Sequence, residues 1–403
     1  MAFRSTRPQR LSADAERLVA DALALAASGS RIEDRFWEDR LDARIARLLK
    51  NGSQPSLDAA LDHLFKINPN GYDVLVDAIE TAAESVTIAA EAGAVDALLI
   101  AVPMLAQTRY AIPSGPLKTD DLQTLTVQLR AHLLADDAKL VVAPYLYSID
   151  QLPATHADTH ALLQRLATAA LKDATPRLDL RDLPDTAPVL ADPRYLLAVV
   201  AAPAGTPLFA WQRDGADATR THALAAWRDQ ATPTIARLLP GCEFELLLPD
   251  AFFVSCRDAD KRIRPLTLRA ATNYLTDALQ CGVETLGAVI APFGEERSEE
   301  YRVAFYLRGE RDVVYGVVWP LFDREPADGE ADGGDAGDEE TLPLEQIRGE
   351  LRRCGITEIF THRELFAPEA CDDCGAPLYA DRNGELVHAE MPDSAPTQQP
   401  LFH

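Results

Sequence analysis

Residues Ala97–Met104 read ALLIAVPM, and Glu243–Asp250 read EFELLLPD. Short apolar runs of this kind, bounded by polar residues, read as buried strands. Each is followed by a polar loop and then by a helix of matching apolar spacing. Leu122, Leu125, Leu129 and Leu133 line the first; Leu268, Ala271, Leu275 and Leu279 line the second. Val141–Pro144 and Val289–Pro292 follow as further short strands. Next, Tyr195 to Trp211 and Tyr301 to Trp319 each bracket a hairpin, with Gly205 in one turn and Gly309 in the other. Two more helices end near Gly241 and Gly355, where a left-handed cap favours glycine. Glu243–Leu248 and Glu358–Thr361 are the strands that come after them. The repeated order of strand, helix, strand, hairpin, helix and strand predicts an α+β fold. Its core is two related modules, each an antiparallel or mixed sheet with its helices on one face. The first module carries an extra helix near His156–Leu171.

Upstream, from Leu11 to about Glu91, the period is helical. Ser12 is placed to cap a helix that ends near Gly29. Arg31–Leu49 carries Phe36, Leu41, Ile45 and Leu48 on one stripe and stops at Asn51-Gly52. Leu57–Phe65 and Tyr72–Ala83 flank Asn68-Pro69-Asn70-Gly71, completing a four-helix layer. The predicted divisions are therefore 1–91, 92–242, 243–363 and a tail over 364–403. Residues 323–340 (DREPADGEADGGDAGDEE) have nothing to bury and repel themselves, which predicts a disordered acidic insert.

The chain has 403 residues, enough for two or three domains. Its 39 basic and 63 acidic residues give a net charge of −24. That balance opposes duplex nucleic acid and anionic membranes as partners. No apolar run approaches the roughly 18 residues of a membrane span; Leu98–Ala106 is already broken by Pro103. MAFRSTRPQRLSADAE lacks the apolar core of a secretory signal. Six cysteines without a regular framework point to a reducing cytoplasm.

The tail holds the sharpest chemical signal. Cys371-Asp-Asp-Cys374-Gly375 is a CxxCG knuckle that sets two sulfurs on one tight turn. Asn383-Gly384 marks a hairpin turn that pairs Leu378–Ala380 with Glu385–His388 and returns His388 to the knuckle. Zinc takes four tetrahedral N or S ligands in structural sites, so Cys371, Cys374 and His388 are candidate Zn2+ ligands. His403 is the candidate fourth, with His362 and Cys354 as alternatives. A redox CxxC is the rival reading, but Asp372 and Asp373 oppose a free thiolate, whereas a bound cation turns their field favourable.

Two basic segments stand out in an acidic chain. Arg109, Ser114 and Lys118 precede one helix; Arg257, Lys261, Arg262 and Arg264 precede the other, with Pro265 at its expected first position. As loops beside helix N-termini they are candidate binders of a phosphate or carboxylate, and related modules would turn both towards one cleft. The alternative is that these cations neutralise nearby acids. His156 and His160 are four apart, but HADTH lacks the glutamate of HExxH, so they are expected to be surface histidines. Cys242, Cys256 and Cys281 read as small buried apolar residues, and Tyr145, Tyr147 and Ser148 are placed where they could line a pocket. Serine-elbow, phosphate-loop and dinucleotide motifs are absent from the sequence.

The segments AERLVADALALAASGSRIEDRFWE, RYAIPSGP, PYLYSIDQLP, LPGCEFELLLPDAFF, VVYGVVWPLF and CDDCGAPLYADRNGELVHAEMP together resemble a bacterial family known only as a domain of unknown function. The resemblance spans nearly the whole chain and implies a bacterial, cytoplasmic protein, with no activity or site residue to carry over. The residues themselves lead to an expectation of a non-enzymatic, zinc-stabilised protein that binds a protein partner or a small anionic ligand. An enzyme acting on a phosphorylated or carboxylated small molecule at the basic segments is the alternative.

Overall fold

The computed structural model describes residues 11–322, apart from 91–92, 180, 182, 187–188, 214–218 and 296, and residues 342–392. The acidic stretch 323–340 and His403 lie outside the described residues. Helices α1 (Ala13–Ala26), α2 (Arg31–Lys50), α3 (Gln54–Ile67) and α4 (Pro69–Glu84) form the expected N-terminal layer. Side-chain caps start three of them: Ser12 accepts from Ala15 N, Ser30 from Glu33 N and Asn68 from Gly71 N. Leu18, Leu41, Ile45, Leu57, Leu64, Leu75 and Ile79 are its core. Phe36 is not part of that core. It is 58% exposed, because α2 buries no residue before Leu41.

The helical region ends earlier than residue 91. Strand β1 (Ser85–Ala90) follows α4 directly and pairs with β2 (Gly93–Gln107). The chain continues through β3 (Gly115–Pro116), α5 (Thr119–Leu133), β4 (Lys139–Val142), β5 (Tyr145–Ser148), α6 (His156–Leu171), β6 (Ala191–Pro203), α7 (Arg220–Leu238), β7 (Glu243–Leu246) and β8 (Asp250–Ala251). Together these strands make one antiparallel sheet. Its spine is the β2–β6 pair, in register from Val95–Pro203 to Gln107–Ala191. Strands β1, β8 and β7 share the outer edge of β2, while β4 and β5 share that of β6.

Helices cover both faces of this sheet, not one. Ile100, Val102 and Met104 of β2 pack with Leu129 of α5 and Trp227 of α7. Their neighbours Leu99, Ala101 and Leu105 face Leu163 of α6 and Ala259 of α8 (Phe252–Ala278). A strand covered twice has no polar side, which is why ALLIAVPM shows no alternation. The hairpin expected at Gly205 does not form. Both edges of β6 are already taken, so the chain after Gly205 returns only as far as a single Phe209–Leu134 bridge.

The second sheet comprises β9 (Leu286–Phe293), β10 (Glu300–Leu307), β11 (Val313–Pro320) and β12 (Glu358–Thr361), ordered β11-β10-β9-β12. The hairpin at Gly309 is present, and β12 returns parallel to β9 after helix α9 (Pro343–Arg353). The hairpin and the pairing scheme of the second half are thus not repeated in the first. Because β7 and β8 join β2, the division expected at 242/243 falls inside the first sheet. Helix α8 bridges both sheets. Ala259 and Leu266 pack on the first, while Leu268, Ala271 and Leu275 join Leu344, Ile347 and Leu351 of α9 on the second.

Pro265 therefore lies inside α8, and Arg257, Lys261, Arg262 and Arg264 are helical rather than loop residues. Proline has no N–H for the carbonyl four residues back. Here the Arg264 side chain supplies that donor, its Nε reaching the Lys261 carbonyl at 3.4 Å.

Candidate metal centre

The tail is built outward from β12. His362 N and Phe366 N donate to the carbonyls of Ile290 and Pro292, laying the chain along β9. Buried Arg302 of β10 then donates to the carbonyls of Glu369 and Leu378, pinning both limbs of the knuckle to the sheet. Within the knuckle Gly375 N donates to the Cys371 carbonyl and Cys371 N to that of Ala376, both at 2.8 Å. Gly375 sits at φ +73°, the left-handed geometry the turn requires.

Strands β13 (Tyr379–Ala380) and β14 (Leu386–Val387) pair as predicted. Asp381 accepts from Asn383 N and Glu385 N, closing the turn whose Gly384 has φ +85°. The hairpin returns His388 to the knuckle, with Nε2 3.2 Å from Cys374 Sγ. Glu390 Oε1 lies 3.6 Å from the other ring nitrogen.

Ligand atoms of Cys371, Cys374 and His388 lie within 4.8 Å of one another. Zinc bonds of about 2.3 Å to sulfur and 2.0 Å to nitrogen would separate tetrahedral ligands by about 3.5 Å, so the set fits with small adjustment. The backbone amides of Cys374 and Asp373 draw the Cys371 thiol below its ordinary range, outweighing the Asp373 carboxylate that opposes them.

The alternative fourth ligands are engaged elsewhere. His362 Nε2 meets the Asp381 carbonyl at 2.7 Å, at the turn end of the hairpin. Cys354 caps α9 on the opposite face of the sheet, where burial raises its thiol.

The basic residues are dispersed among partners. Arg109 pairs with Asp277 at 2.7 Å and stacks on Tyr110. Ser114 bonds Thr186 Oγ1, and exposed Lys118 occupies the N-cap position of α5 without a capping role. Arg257 grips both carboxylate oxygens of Glu80, at 2.6 and 2.7 Å, and Arg262 pairs with Asp258. Arg264 is buried against Trp319 and donates to the Pro320 carbonyl, and Lys261 is half-buried. Arg257 and Asp277 stand twenty residues apart on α8, roughly 30 Å along the axis. Arg109 and Arg257 therefore sit towards opposite ends of α8.

The histidines of HADTH are half-buried where α6 meets the N-terminal layer, not surface groups. His156 Nδ1 is 3.1 Å from Gln54 Nε2, and His160 Nδ1 is 3.1 Å from the Ala82 carbonyl. Tyr145, Tyr147 and Ser148 are buried in packing on the first sheet. Sequence reasoning missed Arg194 and Arg302, each a lone arginine within an apolar strand. Both are buried: Arg194 pairs with Asp192 and donates to the Ile112 and Pro113 carbonyls, and Arg302 pairs with Glu300 besides the two tail carbonyls.

A family model described as a protein of unknown function, DUF2863, matches residues 3–402. No curated protein and no solved structure matches the chain.

Proposed function

The chain belongs to the DUF2863 family, and from that premise we propose that it is a non-enzymatic, zinc-stabilised binding protein of the reducing cytoplasm. Its ligand is a protein partner or a small anion. The observation that supports the reading is the convergence of Cys371, Cys374 and His388 from two limbs of one hairpin. Thiolates and a neutral imidazole are a donor set for zinc. His403 is the ligand we assign to the fourth position.

A hairpin with two residues in each strand cannot order itself in water. A structural ion supplies that order, because metal binding and local folding are then one equilibrium. The enzymatic alternative draws less support. Arg109, Arg257, Arg262 and Arg264 all hold partners within the chain. Among the described residues, no helix is long and apolar enough to cross a membrane.

Cobalt substitution tests the ligand set. Co2+ added to metal-stripped protein should give thiolate charge-transfer absorption and intense tetrahedral d–d bands. Both should vanish in the Cys371→Ser/Cys374→Ser variant. Weak octahedral bands without charge transfer would reject the site.

A further inference from the structure

The second sheet is covered differently on its two faces. Helices α8 and α9 bury Ala288, Ile290, Val303 and Phe305 on one side. On the other, Val289, Ala291, Phe293, Ala304, Tyr306 and Val313 are at most 3% exposed, yet among the described residues no helix packs on them. What covers them is the metal hairpin, through Tyr379 and Ala380, with Leu386, Val387 and Ala389 at the margin.

The sheet is shaped to receive that hairpin. Gly316 of β11 lies beneath the Tyr379 ring, where a Cβ would come within 2.0 Å of Tyr379 Cζ. Arg302 rises through the same face, its guanidinium 4.2 Å from the centre of the Phe293 ring, and takes the Glu369 and Leu378 carbonyls. Glu390 N closes the far limb on the Val313 carbonyl at 2.9 Å. Against these contacts stands a segment with almost no internal sheet. The sheet beneath has its own ladder and is packed by helices on its other face.

We infer that residues 366–391 form a metal-held cover over an apolar face of the second sheet, and that metal occupancy controls whether this face is exposed. This rests on the metal centre proposed above. The agent that operates the cover is a soft divalent cation, or a chelating or thiol-reactive compound that removes it. With the ion absent, the remaining contacts must by themselves oppose the chain entropy of the whole segment. The face then uncovered is apolar at Val289, Ala291, Phe293, Ala304 and Val313, with the Arg302–Glu300 pair set among them, and exposed apolar surface of this kind binds other apolar surfaces.

Hydrogen exchange on the full chain tests this, with metal content measured on the same sample before and after chelation. Removal of the ion should speed exchange across 366–391 at least tenfold. Exchange in α8 and β9–β11 should change little, and binding of an apolar fluorescent dye should rise. The Cys371→Ser/Cys374→Ser variant should show the same pattern without chelator. Native protein that carries no metal overturns the metal centre and the cover together. Metal that is present and then removed, with exchange in 366–391 unchanged, overturns the cover alone. Equal acceleration in β9 and β10 also overturns it, since the ion would then hold the whole second sheet.

Discussion

Glu84 accepts the backbone N–H of Phe253 at 2.9 Å, so the last residue of α4 caps the first turn of α8, 169 positions further along the chain. No side chain of α8's own N-terminus makes that bond. Burial pushes Glu84 up to about 7 from its ordinary 4.5, against the lowering effect of the Phe253 amide and with help from neighbouring Glu80; Asp250 adds to the rise and Arg257 opposes it. Its contribution to stability is thus present below pH 4.5 and lost as pH rises through about 7. Glu84→Gln keeps an acceptor and removes the titration. The variant should be more stable than the parent by about 2 kcal/mol at pH 8 and nearly equal to it at pH 5. Urea denaturation at both values reads the difference, and an equal gap at both would refute the assignment.

His156 and His160 bias the same junction in the opposite sense. Burial lowers both imidazoles, outweighing Asp58 beside His156 and the Ala82 carbonyl beside His160. Folding therefore favours their neutral forms. The stability they contribute is full above about pH 6.5 and is lost as pH falls through their lowered values. A His156→Gln/His160→Gln variant should lose less stability than the parent between pH 7 and pH 5. Thermal unfolding at the two values is the measurement, and parallel losses would count against burial as the cause.

Arg264 and Pro265 should be energetically coupled. Arg264→Met leaves the Pro320 and Lys261 carbonyls without its donors, a loss of about 2–4 kcal/mol. In a Pro265→Ala background the restored helical N–H takes the Lys261 carbonyl. The same substitution should then cost about 1 kcal/mol less. A denaturation double-mutant cycle measures the coupling, and strict additivity would show that the 3.4 Å contact contributes nothing.

Gly316→Ala should strike the metal hairpin from below. The new methyl overlaps the Tyr379 ring, and overpacking of this kind costs about 1–3 kcal/mol. With the proposed metal centre, hairpin docking and ion binding are one equilibrium, so zinc affinity should fall about tenfold or more. Tyr379→Ala in the same chain should recover part of the stability loss. Competition with a chromophoric chelator reads the affinity, and an unchanged value would uncouple the sheet from the site.

Where the determinants are local, the sequence was readable. Ser12 capping α1, the bounds of α6 at His156–Leu171 and the left-handed Gly355 after α9 all follow from a few neighbouring residues. The CxxCG knuckle and the Asn383-Gly384 turn belong to the same class, which is why the hairpin pairing was foreseeable. Where the deciding partner is distant, the reading failed. Nothing near Gly205 shows that β6 already has neighbours on both edges. Pro265 usually marks a helix start, and only the folded chain reveals an arginine serving the carbonyl it abandons. Nor do the neighbours of Arg257 and Arg109 reveal their partners, since Glu80 lies 177 positions from the one and Asp277 lies 168 from the other.

Cys371, Cys374 and His388 are proposed to hold one ion between them. Elemental mass spectrometry of protein purified without added metal, beside the Cys371→Ser/Cys374→Ser variant, tests it most directly. About one zinc per native chain is expected, and none in the variant. Native protein without metal, or a variant that retains the full complement, would contradict it.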